Sequence, residues 1–184
     1  MVTIKDSTSA WDQAQTAGLS LYVPVNATLN TCGIPKWSSQ ALSHYALRSA
    51  ATSGFAISQD NFAADFPRSL FAKVIDEVKT LRPLYSGDFY PLTEINTKED
   101  AWCAWQFDRQ DLDKGFAMFF RRPESQLAAF DAALRGLDPK AEYDVTFVDS
   151  ARVQTLTGAE LARFKVTIPS APGSMLVIYR KRQQ

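Results

Sequence analysis

Phe71-Ala72-Lys73-Val74-Ile75-Asp76-Glu77-Val78-Lys79-Thr80-Leu81-Arg82-Pro83 is the stretch at which the chain changes from one pattern to another. Phe71, Val74, Ile75 and Val78 fall at i, i+3, i+4 and i+7, whereas Lys73, Asp76, Glu77 and Lys79 lie mainly off that stripe. This spacing predicts an amphipathic helix. Asp65-Phe66-Pro67 offers an acidic residue and a proline for its opening. Pro83 ends it, because the residue before a proline is pushed out of the helical region. Upstream the sequence is helix-compatible. Beyond Pro83 it becomes a succession of short β-patterned segments broken by turn residues. Two parts follow, residues 1–82 and 83–184.

In the first part, Val2 to Ile4 and Leu19 to Val25 are apolar runs of strand length, and Phe55 to Ser58 is a weaker third. Ala- and Gln-rich stretches that can be helical lie between them. Strands separated by helical segments predict βα units around a parallel sheet. Three strands close nothing, and a parallel barrel needs eight, so this part reads as a piece whose neighbours come from elsewhere. In the second part Phe116, Met118 and Phe120 share a face, as do Tyr143, Val145 and Phe147. Phe164, Val166 and Ile168 repeat the pattern, followed by Met175, Val177 and Tyr179. Arg135-Gly136-Leu137-Asp138-Pro139 and Ala171-Pro172-Gly173 punctuate these strands. An antiparallel β-sandwich is expected, with one helical turn at Thr157 to Leu161. The fold class is thus α/β followed by all-β.

Composition narrows the function. With 46% apolar residues over 184 positions the chain has ample material for a packed core. Twenty basic residues balance twenty acidic ones, leaving no electrostatic footprint for nucleic acid or an anionic membrane. No apolar run approaches the roughly 20 residues that span a bilayer, and the first residues lack the order of a signal peptide, so no compartment is indicated. Two cysteines, Cys32 and Cys103, and one histidine, His44, make a poor zinc set, and buried free thiols are expected.

Phosphate loops and nucleophile elbows are missing, so carboxylates carry what chemistry there is. Asp6 follows an apolar run at what would be the carboxyl end of a strand, the edge where barrel enzymes place reacting groups. With Ser7, Thr8 and Ser9 behind it, the same residue also reads as part of a loop capping the next helix. Asp60 has the same two readings. Trp11 and Trp37, in polar surroundings, suit either sugar stacking or packing, whereas Tyr22 within an apolar run and Tyr45 read first as core. Gln13 and Gln15 are candidate hydroxyl ligands or solvated helix residues. His44 and Arg48, four apart, can share a helix face at the surface or behind a site without reacting.

Read together, Gln13-Ala14-Gln15-Thr16-Ala17-Gly18-Leu19-Ser20-Leu21-Tyr22-Val23-Pro24 and Tyr45-Ala46-Leu47-Arg48-Ser49-Ala50 resemble the late barrel strands of glycoside hydrolase family 36. Arg82-Pro83-Leu84-Tyr85-Ser86-Gly87-Asp88-Phe89-Tyr90-Pro91-Leu92-Thr93 resembles that family's link from the last barrel helix into its terminal sandwich. Ala104 to Arg109, Phe120 to Ser125 and Leu134 to Pro139 fit the same sandwich.

The resemblance implies the last βα units of a (β/α)8 barrel followed by a C-terminal antiparallel β-sandwich, taken from a retaining α-galactosidase-like enzyme. Such chemistry uses two carboxylates and water and no cofactor or metal. Counted back from the Gly18 to Leu21 segment, Asp6 falls near the family's acid/base aspartate, with Trp11, Gln13 and Trp37 as substrate-binding candidates. The nucleophile strand has no counterpart in the chain, so an α-galactoside is the expected partner only of the intact enzyme. The missing barrel strands, or another chain, would be the protein partner. A non-catalytic carbohydrate-binding or accessory module is the competing expectation.

Overall fold

A computed structural model describes residues 9–23, 30–32, 42–57 and 60–183. The chain divides into two compact units, residues 1–86 and 87–184.

The first unit holds helices α1 (Ser9–Leu19), α2 (His44–Ala50) and α3 (Arg68–Leu81) and the short strands β1 (Asn30–Cys32) and β2 (Phe55–Ile57). The two strands pair in parallel, with Thr31 opposite Ala56. Parallel neighbours need a crossover, and α2 supplies it. Ser43 caps α2 by accepting from the Ala46 amide at 3.2 Å, which satisfies one of the orphan donors of its first turn. The predicted stripe of α3 packs as expected: Phe71, Val74 and Val78 are buried against Leu47, Ala50 and Ala51. Phe66 stacks on Phe71 with ring centres 4.7 Å apart. Each such side chain contributes about 1.5–3 kcal/mol on burial.

Two expectations in this unit are corrected. Leu19 to Val25 is not a strand over its described residues: Leu19 ends α1, and the turn runs on through Val23, whose amide donates to the Leu19 carbonyl at 2.8 Å. A short apolar run has no periodicity that separates strand from helix end, and here the Ala-rich segment before it carries the helix forward. Glu77, placed off the apolar stripe of α3, is buried. Phe55 to Ser58 forms the expected strand as far as Ile57, whereas Val2 to Ile4 lies outside the described residues.

The second unit is antiparallel. Strands β3 (Asp88–Pro91), β4 (Trp102–Arg109), β5 (Lys114–Arg121), β7 (Glu142–Phe147), β8 (Arg152–Thr157) and β10 (Gly173–Lys181) form a six-stranded sheet in the order β3-β4-β5-β10-β7-β8. Strands β6 (Ala129–Ala132) and β9 (Phe164–Thr167) make a separate ribbon. Alternation decides which face of the sheet meets the ribbon. Ala104, Phe119, Val145 and Val177 point to one side and share a core with Ala132, Phe164 and Val166. A single helical turn, α4 (Gly158–Leu161), sinks Leu161 into the same core and is held by a capping box between Thr157 and Glu160. The Met118 face of β5 is buried too, with Phe107 stacked on Phe116 at 5.4 Å and Trp105 against Phe120 at 5.1 Å. No helix among the described residues is long and apolar enough to cross a membrane.

Candidate functional site

The sequence-derived candidates separate in space. Asp6 and Trp37 lie outside the described residues. The segment from which Asp6 was counted is helical at Gly18 and Leu19, so its place now rests on its position just before α1. Trp11 stands on the outer face of α1, 54% exposed. Gln13, two residues on, points the opposite way, as residues two apart on a helix do. Its amide is wholly buried and donates to Tyr45 Oη at 3.0 Å and to Ser49 Oγ at 2.9 Å. Tyr45 is therefore buried in this network, whereas Tyr22 is exposed. Gln15 keeps a buried carbonyl oxygen with no hydrogen-bond partner among the described residues. Asp60 accepts from the Phe62 amide at 3.0 Å, which turns the chain there.

His44 and Arg48 do share a face of α2, and that face meets Glu77. Arg48 Nε and Nη2 donate to the two Glu77 oxygens at 3.0 and 2.6 Å, and His44 Nε2 stands 3.0 Å from Oε1. Burial opposes ionisation of Glu77, but the hydrogen bonds from His44 and Arg48 and the guanidinium charge outweigh it, and the carboxyl is held down at about 2. A carboxylate so firmly ionised and so fully bonded fixes α2 to α3; it is a poor proton donor.

A second polar cluster, which the sequence reading missed, lies at one end of the sandwich core. Gln106 and Asp108 are two apart on β4 and share its core-facing side. Gln106 reaches across to the loop after β6: its Nε2 donates to the Arg135 carbonyl at 2.7 Å and its Oε1 accepts from the Arg135 amide at 2.8 Å. The same Nε2 donates to Tyr179 Oη at 2.7 Å, and Tyr179 donates onward to Asp108 Oδ1 at 2.8 Å. Burial pushes both the Tyr179 hydroxyl and the Asp108 carboxyl up; nearby carboxylates, Asp108 for the tyrosine and Asp88 and Asp113 for the aspartate, add to it. Asp108 is 5% exposed and lines a cavity of about 300 Å3 together with Asp113, Gly136, Asp138, Tyr143 and Lys181. Gly136 has φ +75, and a Cβ there would come within 3.1 Å of both Asp108 Oδ2 and Tyr90 Oη. Two polar residues sharing one face of an apolar strand were the available signal; they and the glycine were passed over as strand and punctuation.

Cys103, read as a buried thiol, is free and 1% exposed, its thiol pushed up to about 11 chiefly by burial.

No protein-family model matches this sequence, and no curated protein matches it significantly. Solved structures do. The galactosidase domain of the α-galactosidase–sucrose kinase AgaSK superposes with a TM-score of 0.74 at 20% identity, over 95% of this chain and 25% of its own. A variant of the family 36 α-galactosidase AgaA from Geobacillus stearothermophilus, bound to raffinose, gives 0.71 at 19% identity over 95% and 25%. The α-galactosidase from Lactobacillus brevis gives 0.71 at 18% identity over 98% and 26%. The chain thus has a fold found within glycoside hydrolase family 36 α-galactosidases, and the resemblance seen in the sequence holds at the level of structure. It spans about a quarter of the length of these enzymes.

Proposed function

We propose that these residues are the C-terminal part of a retaining α-galactosidase-like glycoside hydrolase, with residues 1–82 completing a (β/α)8 barrel and residues 83–184 forming the terminal sandwich. The observation that carries this is the continuous structural likeness over 95% of the chain to about a quarter of such enzymes. The parallel β1-α2-β2 unit supports the barrel assignment, since parallel strands joined through a helix are its building block.

Double displacement at an anomeric carbon needs two carboxylates. One attacks the carbon and expels the aglycone oxygen; the other protonates that oxygen and then takes a proton from the incoming water. Asp6 is the proposed acid/base. The exposed indole of Trp11 supports a stacking role, and Trp37 is assigned the same. Gln13, whose amide is committed to Tyr45 and Ser49, acts by holding α1 against α2 rather than by reaching sugar. The nucleophile belongs to barrel strands outside these residues, so the chain by itself should turn over no α-galactoside.

Purified chain mixed with an aryl α-galactoside tests this. No turnover is expected alone, and turnover lost in Asp6→Asn is expected once the residues are joined behind the upstream barrel strands of a family 36 enzyme. Asp6-dependent turnover by the chain alone would overturn the reading. A second reading, an accessory carbohydrate-binding module, draws on the self-contained core and polar end of residues 87–184; it predicts sugar binding without turnover in every assembly.

A further inference from the structure

We propose that the outer edge of β8 is a docking surface for a second copy of this chain, whose own β8 joins it antiparallel to make one continuous sheet across a two-fold axis. The edge groups all lie between Arg152 and Glu160, so the inference goes beyond the hydrolase reading and does not depend on it.

The bonding within the sheet shows which groups face outward. Arg182 donates its amide to the Glu142 carbonyl at 2.9 Å, and Gly158 donates to the Ala141 carbonyl at 3.0 Å. Ladder bonds alternate along an antiparallel pair. In the register that sets Glu142 opposite Thr157, the main-chain groups of Arg152, Gln154 and Leu156 therefore turn toward β7. Those of Val153, Thr155 and Thr157 turn away from it. The Thr157 amide is already used, since it donates to Glu160 Oε2 at 2.7 Å. Val153 and Thr155 keep amides and carbonyls that pair with nothing among the described residues.

A bare edge recruits another strand unless it is guarded. The opposite edge of this sheet is guarded: β3 is short, opens on the exposed Asp88 and closes on Pro91. β8 has neither device. It holds no proline, Val153 is 60% exposed, and its one charged side chain, Arg152, lies with its guanidinium 4.0 Å over the Phe147 ring.

The pattern along the strand selects a second copy as the partner. A two-fold axis through Gln154 sets Val153 opposite Thr155 of the other copy, and each exchanges amide and carbonyl with the other. Every free group between Arg152 and Leu156 is matched in this way. The same register joins ends of opposite charge. Arg152 has no acidic partner among the described residues, and it comes alongside the end where the exposed Glu160 carboxylate sits on the Thr157 amide. That carboxylate also stops the strands from sliding further, because it occupies the next donor. No like charges stand opposite one another, which would oppose the pairing. So narrow a contact belongs to the weak, reversible class of interfaces.

Sedimentation of the full chain from about 1 μM to about 1 mM tests this. A reversible monomer–dimer equilibrium is expected. Val153→Pro removes an outward amide and leaves the β7 ladder intact, as proline on an edge strand can; it should weaken the dimer about tenfold or more. Val153→Lys, which leaves the backbone unconstrained and guards the edge with a charge, should weaken it as well. Gln154→Cys in a Cys32→Ser background reports the register. Residue 154 would face its own copy with Cα atoms about 4.5 Å apart, within disulfide reach, so mild oxidation should link the dimer, whereas Arg152→Cys should link none. Three results would each overturn the proposal: a chain that stays monomeric throughout the range, a dimer unchanged in both Val153 variants, or Arg152→Cys linking as readily as Gln154→Cys.

Discussion

Arg48 on α2 holds Glu77 on α3 through two hydrogen bonds, 3.0 and 2.6 Å long, with Arg48 1% and Glu77 8% exposed. A buried pair of this kind is much more sensitive to losing one partner than to losing both. Glu77→Ala should cost about 3–5 kcal/mol, because it takes the carboxylate away from a buried guanidinium. Arg48→Met combined with Glu77→Leu should recover most of that loss, as urea denaturation would show.

The same pair makes stability depend on pH in a defined window. The Glu77 carboxyl is lower in the folded chain, about 2, than the 4.5 of an ordinary glutamate. The unfolded chain therefore takes up the proton first as pH falls. The stabilisation, about 3 kcal/mol by this difference, is complete above pH 4.5 and fades between there and 2. In Glu77→Gln the loss over that interval should shrink by a comparable amount, measured as the urea midpoint at successive pH values.

Gln106 satisfies both the amide and the carbonyl of Arg135 and also donates to Tyr179. Gln106→Leu leaves the part-buried amide and carbonyl of Arg135 without this partner, while Tyr179 keeps Asp108, and should cost about 1–3 kcal/mol. Hydrogen exchange at the Arg135 amide should accelerate more than exchange in β7 or β10, since the loop loses its tether before the sheet opens.

Gly136→Ala should destabilise the chain by about 1–2 kcal/mol from the left-handed backbone. Contact at 3.1 Å with Asp108 Oδ2 and Tyr90 Oη adds to it. Ala substitution at exposed Trp11 should instead shift stability by no more than about 0.5 kcal/mol. Thermal melts of the two variants, side by side, make the comparison.

Cys103 should resist alkylation at pH 8 in the folded chain, because its thiol is buried and pushed up to about 11. Mass spectrometry on a Cys32→Ser background should find it unmodified until denaturant is added. Rapid labelling without unfolding would contradict the packing of β4.

Strands whose alternation meets a one-sided core were readable in advance: Tyr143, Val145 and Phe147 lie where period two puts them, and the helical turn falls within the expected Thr157 to Leu161. Helix α3 was equally clear from its stripe. Glu77 was not, since nothing local distinguishes a glutamate facing water from one meeting an arginine 29 residues earlier. Leu19 to Val23 misled because a short apolar run carries no period of its own. The ribbon strand β6 escaped because Ala129-Phe130-Asp131-Ala132 is ordinary loop composition, made a strand by its partner β9. Asp108 and Tyr179 are 71 residues apart and meet only once β5 lies between their strands.

The position of β10 bears on how the protein is made. It follows every other strand of the six-stranded sheet in sequence, yet it sits inside that sheet, bonded to β5 on one side and β7 on the other. While the ribosome is still adding residues before Gly173, the nascent chain can pair β3-β4-β5 and β7-β8 only as two separate blocks, each with an open edge. The sheet closes only once the stretch up to Lys181 has cleared the exit tunnel.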